Sequence, residues 1–400
     1  MFSSIERVTG ERSPAMERMS SKGALHIQTR RHEFRNIVVI KLRYIGDTLL
    51  ITPVLEALKE AYPHASIATV VNRGMEDVLY NNPAIDAIIP VDRTASFLKY
   101  ASDMQLIRKS HFDLAIDLTG ADRSAFLTRW SGAPVRMGYR GHSFLRNHIF
   151  YNVLVDADER SLHKVDHHLA MVEAMGIPIK SRTPKLYVTD EEIRSTAELL
   201  RTKGLHTETP FIVMHPGARR WYKSWPPDFF SQLGDRIVNE LHVPIVLAGG
   251  KSDTSAIQTI QDGMTVSCIN VGAQLSLREL ACLLKMASLC VVNDSGPMHM
   301  AAALGSPTIA LFGLTDPKYW APRGADHRVF SHACPCRPYG HRRECPEGEN
   351  YCMRKIAVSD VYEAARALLT RPRIQKRDLT GVYFNEAGRE VTALGGDIDS

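Results

Sequence analysis

The chain has 400 residues, of which 44% are hydrophobic and 23% charged, with a formal net charge of +5. Those proportions match an ordinary soluble globular protein and exclude a disordered chain, a collagen-like fibre and a coiled coil. The basic excess is too small for a dedicated nucleic-acid binder, yet it admits phosphates, acidic ligands or an anionic membrane surface. The length suggests roughly two to three domains. Seven cysteines are too few for a disulfide scaffold. Cys268, Cys282 and Cys290 lie in apolar stretches and read as small buried hydrophobes.

Residues 1–35 are rich in Lys and Arg, lack apolar periodicity and carry no secretory signal core. They read as a basic leader outside the fold, with Met16 and Met19 as alternative starts. From Asn36 the pattern changes. Residues 37–40 form a short β-branched apolar run, as expected of a strand buried on both faces. Residues 47–61 have helical spacing, with Leu50, Val54, Leu58 and Ala61 on one face. Strands are predicted at 67–71, 87–91 and 113–118, with helices between. After a polar stretch at 178–190 the rhythm restarts: strands at 211–214, 244–247, 288–292 and 308–312, and helices at 228–241 and 359–369. Residues 371–400 read as a polar tail. Alternating strands and helices imply an α/β protein with parallel sheets. Two doubly wound, Rossmann-like domains are expected, at 36–185 and 186–370, with ligands bound where their strand C-termini face a shared cleft.

Three loops carry chemistry. The first, residues 41–48, follows the first strand; Gly46 permits a tight turn, and Asp47 stands where a helix N-cap is expected. Two readings are open: a helix cap, or a general base in the cleft. The loop is not GxGxxG, so it does not signal a dinucleotide. The second, residues 215–226, places His215, Gly217, three cations and two tryptophans between a strand and a helix. Lys223 is its best phosphate contact; a merely solvated basic loop is the alternative. The third, residues 291–303, ends a buried strand in Asp294, Ser295 and Gly296, sets Pro297 in a first helical turn and brings in His299. The free N–H groups of that turn form a phosphate site, unless the segment is an ordinary Ser-capped helix with a buried histidine. A turn at 313–317 joins the same edge. A carboxylate on one domain and a cation-rich phosphate site on the other suit a glycosyl transfer, in which the departing diphosphate is stabilised electrostatically.

These motifs resemble glycosyltransferase family 9, the ADP-heptose:lipopolysaccharide heptosyltransferases. The resemblance runs over residues 36–369, through Lys41-Leu42-Arg43-Tyr44-Ile45-Gly46-Asp47, His215-Pro216-Gly217 with Lys223, and Asn293-Asp294-Ser295-Gly296-Pro297-Met298-His299. It implies a GT-B architecture and an inverting, metal-independent transfer of heptose from ADP-heptose to the inner core of lipopolysaccharide, with no further cofactor. It casts Asp47 as the base, with capping as a second role, and Lys223 as the phosphate contact. Gly46, His215, Gly217, Asp253, Asp294, Ser295, Gly296 and His299 fall to the donor. Arg43, Arg123 and Arg140 fall to a phosphorylated glycolipid acceptor. The first motif is nearest to the third heptosyltransferase subgroup. The resemblance also implies a cytoplasmic protein, peripheral at the inner membrane, with no nucleic-acid partner, and a last helix that crosses back onto the first domain. An epimerase of similar build and an inactive nucleotide-sugar-binding paralogue are the alternatives.

Other signals are weaker. Cys334, Cys336, Cys345 and Cys352 cluster late, as reduced structural thiols, a structural metal site or a redox group. Asp156 and Asp158 have DxD spacing without supporting context. Arg123, Arg129, Arg136, Arg140 and Arg146, with His142 and His148, form a basic stretch that either meets the acceptor or is a solvated face.

Overall fold

The structure, a computed structural model, describes residues 33–92, 97–333 and 351–370, and two short strands at 383–384 and 390–391. Residues 1–32 of the leader expected at 1–35, most of the tail, and Cys334, Cys336 and Cys345 lie outside the described residues. The last residues of that leader belong to the fold instead: Phe34 is buried in the first core against Tyr62, and the Arg35 N–H donates to Asp113 (2.7 Å).

The first domain is built on strands β1 (Asn36–Lys41), β2 (Ser66–Asn72), β3 (Ala87–Val91), β4 (Leu114–Asp117), β5 (Val135–Tyr139) and β6 (Val153–Val155). They pair in the order β3-β2-β1-β4-β5-β6, in parallel throughout. The second domain repeats the plan with β7 (Ile212–His215), β8 (Ile245–Leu247), β9 (Ile269–Asn270), β10 (Leu289–Asn293), β11 (Thr308–Phe312) and β12 (His327–Ser331). Its order is β12-β11-β10-β7-β8-β9. In both sheets the strand order reverses beside the first strand, between β1 and β4 and between β7 and β10. A crevice opens at such a switch point.

The central strands are buried on both faces, which is why they read as continuous apolar runs. Ile37 and Val39 pack to one side of the first sheet, and Val38 and Ile40 to the other. No regular element lies between Ala174 and Thr189, and the chain passes there from one sheet to the next. The cores meet across the cleft: Leu49, Val71, Val78 and Leu79 of the first domain pack in one cluster with Met298, Met300 and Leu304 of the second.

The helix expected over 47–61 is two helices, Ile45–Leu49 and Thr52–Ala61. Pro53 opens the second; with no N–H, and with its ring against the preceding turn, it cannot continue the first. The last helix, Val358–Leu369, does not cross to the first domain. Its buried Val361, Tyr362, Ala365 and Leu368 join the core of the second with Phe230 and Ile237, and Arg236 lies 3.7 Å over the Tyr362 ring. The apolar stripe of this helix is thus consumed within its own domain. Cys282 and Cys290 are buried as expected, Cys268 is half-buried, and Cys352 lies in the second core.

Candidate active site

A cavity of about 550 Å³ occupies the cleft. It is walled by the loops after β1, β7, β8 and β10, all at strand C-termini. Each residue assigned above to catalysis or donor binding lines it: Asp47 and Lys223, and Gly46, His215, Gly217, Asp253, Asp294, Ser295, Gly296 and His299. The volume suits a nucleotide-sized ligand.

Asp47 is the third residue of the Ile45–Leu49 helix, and Tyr44 is its N-cap, with no side-chain cap bond. The capping role expected for Asp47 is therefore absent. The chain after β1 turns into helix three residues early, and the carboxylate is left for the cavity.

Beneath this loop lies a satisfied polar chain. Buried Lys41 donates to the Leu118 carbonyl (3.0 Å) and stands 3.0 Å from Nε2 of His168. Nδ1 of that ring faces the Tyr139 hydroxyl at 3.0 Å, which donates to the His167 carbonyl (3.1 Å). A lysine that only donates requires Nε2 of His168 to accept, so Nδ1 carries the proton. Burial lowers the Lys41 ammonium to about 8, opposed mainly by Asp47. On β4, Asp117 accepts the Tyr151 hydroxyl at 2.6 Å and the Thr119 N–H at 2.7 Å, while its burial pushes its carboxyl up. These contacts hold the β1 and β4 loops as one rigid wall.

On the opposite wall, fully buried Asn293 joins two loops. Its Oδ1 accepts the Trp225 N–H (3.1 Å) and its Nδ2 donates to the Pro216 carbonyl (2.6 Å). This places Lys223 so that Nζ lies 2.7 Å from Oδ2 of Asp294. Ser295 is the N-cap residue of the Gly296–Ala303 helix, but its side chain makes no cap bond. The hydroxyl donates to the Asn293 carbonyl instead (3.2 Å). The ordinary Ser-capped helix is thus not what forms. The helix start faces the cavity beside Lys223, as an anion site requires.

Asp253 accepts the Gly250 N–H at 2.8 Å. A Cβ on Gly217 would stand 2.3 Å from its Oδ2, so only glycine lets this carboxylate lie against the β7 loop. His215 is buried, with Nδ1 unpartnered; burial lowers it and Asp253 pulls it back up. Burial likewise lowers His299, against Asp294 and Asp47.

Arg43, Arg123 and Arg140 are not among the residues that line this cavity. Arg123 donates to the Asp92 carbonyl and Asn72 Oδ1, and Arg140 pairs with Asp156 at 2.7 Å. The DxD carboxylates are engaged locally, Asp156 with Arg140 and Asp158 with the Arg160 N–H. Among the described residues no group of three or more His, Cys, Asp or Glu could hold a metal ion. No helix of the described residues is long and apolar enough to cross a membrane.

Two further contributors line the cavity. Arg219, one of the three cations of the second loop, lies 3.9 Å over the Tyr44 ring and bridges the domains. Trp320, reached through the turn at 313–317 and without a distinct sequence signal, also lines the cavity, with its ring 6.3 Å from that of His299 and the Lys164 ammonium 5.2 Å above it.

Comparison with known proteins places this geometry. Residues 101–349 match the model of glycosyltransferase family 9 (heptosyltransferase). Lipopolysaccharide heptosyltransferase 3 of Escherichia coli K12 is 29% identical over 340 residues, covering 82% of this chain and 96% of that protein. Among solved structures, the family 9 glycosyl transferase of Veillonella parvula superposes with a TM-score of 0.76 at 26% identity, covering 84% of this chain and 97% of the other. The ADP-heptose lps heptosyltransferase II of E. coli gives 0.71 at 25%, covering 84% and 98%. With two facing Rossmann-like domains of GT-B type and a family model matched over more than half its length, the chain belongs to glycosyltransferase family 9, the heptosyltransferases.

Proposed function

We propose that this enzyme transfers heptose from ADP-heptose to the inner core of lipopolysaccharide, with inversion and without a metal. The observation that carries the reading is the convergence of Asp47, Lys223 and the open helix start at Gly296 on one cavity. Relatives named as lipopolysaccharide heptosyltransferases 3 and 2 support the substrates. The matches at 29% identity over 340 residues and 28% over 347 residues, both to heptosyltransferases 3, favour the third subgroup. In this reading the diphosphate lies on the Gly296 N–H and the Lys223 ammonium, and Asp253 meets the nucleoside end. Lys223 and the helix dipole neutralise the departing ADP, the work a metal does elsewhere. Asp47 takes the proton of the acceptor hydroxyl as it attacks the anomeric carbon from the face opposite ADP, which inverts that centre. Arg43, Arg123 and Arg140 lie on the acceptor side, outside the donor cavity. The enzyme works at the cytoplasmic face of the inner membrane, where its acceptor is anchored.

The test is ADP release from ADP-heptose, with and without heptose-deficient core acceptor, and with and without chelator. Acceptor-dependent ADP that chelator leaves unchanged is expected. A changed sugar nucleotide without acceptor identifies an epimerase, and binding without product an inactive paralogue.

A further inference from the structure

The first domain exposes large apolar side chains in one place. Phe144 is 69% exposed, Leu145 52% and Ile149 47%, and Phe126 and Trp130 of the Asp122–Trp130 helix are exposed beside them. Phe126 and Trp130 stack at 6.0 Å, one helical turn apart on the same face. Exposed apolar side chains grouped on two neighbouring elements mark an interaction surface.

The loop that carries the tip is built, not slack. Asn147 closes its base, accepting the Gly141 N–H (3.1 Å) and donating to the Gly141 carbonyl (2.6 Å). Arg146 ties it to Gly120 and Asp122 at the start of the neighbouring helix. Arg136 reaches from β5 to the Phe150 carbonyl (2.9 Å). These polar contacts all lie at the base of the loop, and Phe144 and Leu145 are held out into water.

Polar groups accompany the tip: Arg129 and Arg140 are exposed, as are His142 and His148, with the His148 ring 4.6 Å from Phe144. Of the nearby carboxylates, Asp122 pairs with Arg146 and Asp156 with Arg140. Apolar wedges inside a basic rim complement a surface that is anionic outside and apolar beneath. The loop leaves the C-terminal end of β5, two strand spacings from β1, so its base stands roughly 10 Å along the sheet edge from the Asp47 loop.

We propose that residues 141–150, together with the exposed face of the Asp122–Trp130 helix, seat this enzyme on an anionic lipid bilayer. Phe144 and Leu145 insert among the acyl chains, and Arg129, Arg140 and the histidines meet the headgroup phosphates. The assignment rests on the reading that the acceptor is membrane-borne and names the surface that meets the membrane. Seated in this way, the acceptor side of the cleft opens beside the bilayer.

The experiment is co-sedimentation of the full chain with vesicles of phosphatidylcholine alone or mixed with phosphatidylglycerol, at low and high salt, without sugar substrates. Binding to the mixed vesicles that weakens with salt is expected. Phe144→Ser/Leu145→Ser should lower partitioning by about tenfold or more, given the apolar area withdrawn, and Tyr80→Ser, exposed elsewhere, should not. Acceptor-dependent ADP release with a water-soluble core acceptor should be the same in the double variant as in the wild type. Equal partitioning of wild type and double variant, or no binding to either vesicle, would overturn the assignment. So would a wild-type dimer that the double substitution splits in sizing experiments, since the patch would then be a protein interface. Because vesicle binding uses no ADP-heptose, its failure is distinguishable from failure of the transferase reading.

Discussion

A Cβ on Gly46 would stand 2.6 Å from Cδ2 of His299. The residue beside Asp47 in one domain is therefore in direct contact with the first turn of the Gly296–Ala303 helix, the proposed phosphate site, in the other. Nothing larger than glycine fits between the two walls, and their spacing sets the distance from the proposed base to the proposed donor site.

Gly46→Ala should push the Asp47 helix off His299. Overpacking of this kind costs about 1–3 kcal/mol, read as a lower denaturation midpoint. The displaced carboxylate should lower kcat by at least about tenfold. An unchanged kcat in this variant would show that the contact does not position Asp47.

Asp47→Asn removes the proposed base without removing a side-chain cap bond, since this helix has none. The lost charge–dipole interaction is worth no more than about 1 kcal/mol, so thermal unfolding should shift little. Turnover should fall by roughly 10²–10⁴. Near-wild-type turnover would remove Asp47 from the role of base.

Lys223→Ala should raise the KM for donor by about tenfold to a hundredfold, the worth of one or two charge-assisted bonds. It also leaves Asp294, 6% exposed in its side chain, without its cation, which should cost about 1–3 kcal/mol of stability. Lys223→Ala/Asp294→Asn should recover that stability by removing the orphaned charge, and should not recover activity. If the double variant regained turnover, Lys223 would act only as a partner for Asp294.

The domains are also held together behind the site, and that contact is sensitive to acid. His163 caps the Lys164–Glu173 helix by accepting the Val165 N–H on Nδ1 (3.2 Å), and its Nε2 meets the Ala321 carbonyl of the other domain (3.1 Å). Burial lowers His163 and His167 to about 4. The unfolded chain therefore binds more protons than the folded one between about pH 6.5 and 4. Stability should be full above that window and be lost as pH falls through it, each histidine adding up to about 1.4 kcal/mol per pH unit. His163→Asn keeps a good capping residue but does not titrate, so its unfolding free energy should fall less steeply across this window. An identical slope would mean that His163 does not contribute.

The central strands were legible because a parallel sheet covered on both faces demands uninterrupted apolar runs, as in 37–40 and 308–312. The peripheral β5, β6, β9 and β12 were not. They are short or partly polar, as in the Val-Arg-Met-Gly-Tyr of β5 and the two residues of β9, and strands at or near a sheet edge escape the demand for continuous burial. Pro53 was visible in the sequence, but the break it imposes was hidden by helical spacing that runs across it.

The sequence by itself determined the two-domain α/β plan and the three strand-end loops, because burial on both faces and phosphate binding at helix starts each leave a local pattern. It also singled out the proposed catalytic and donor residues, from Gly46 to His299, that came to line one cavity. Only the tertiary structure decided what Asp47 and Ser295 do not cap, since capping depends on where the backbone first turns helical and not on residue type. It alone paired Lys223 with Asp294, laid Arg219 over Tyr44 and brought Trp320 to the cavity. It also showed that the apolar tip at Phe144 and Leu145 is left facing water. Each of these joins residues far apart in the chain or depends on what does not cover them, and neither leaves a trace in local spacing.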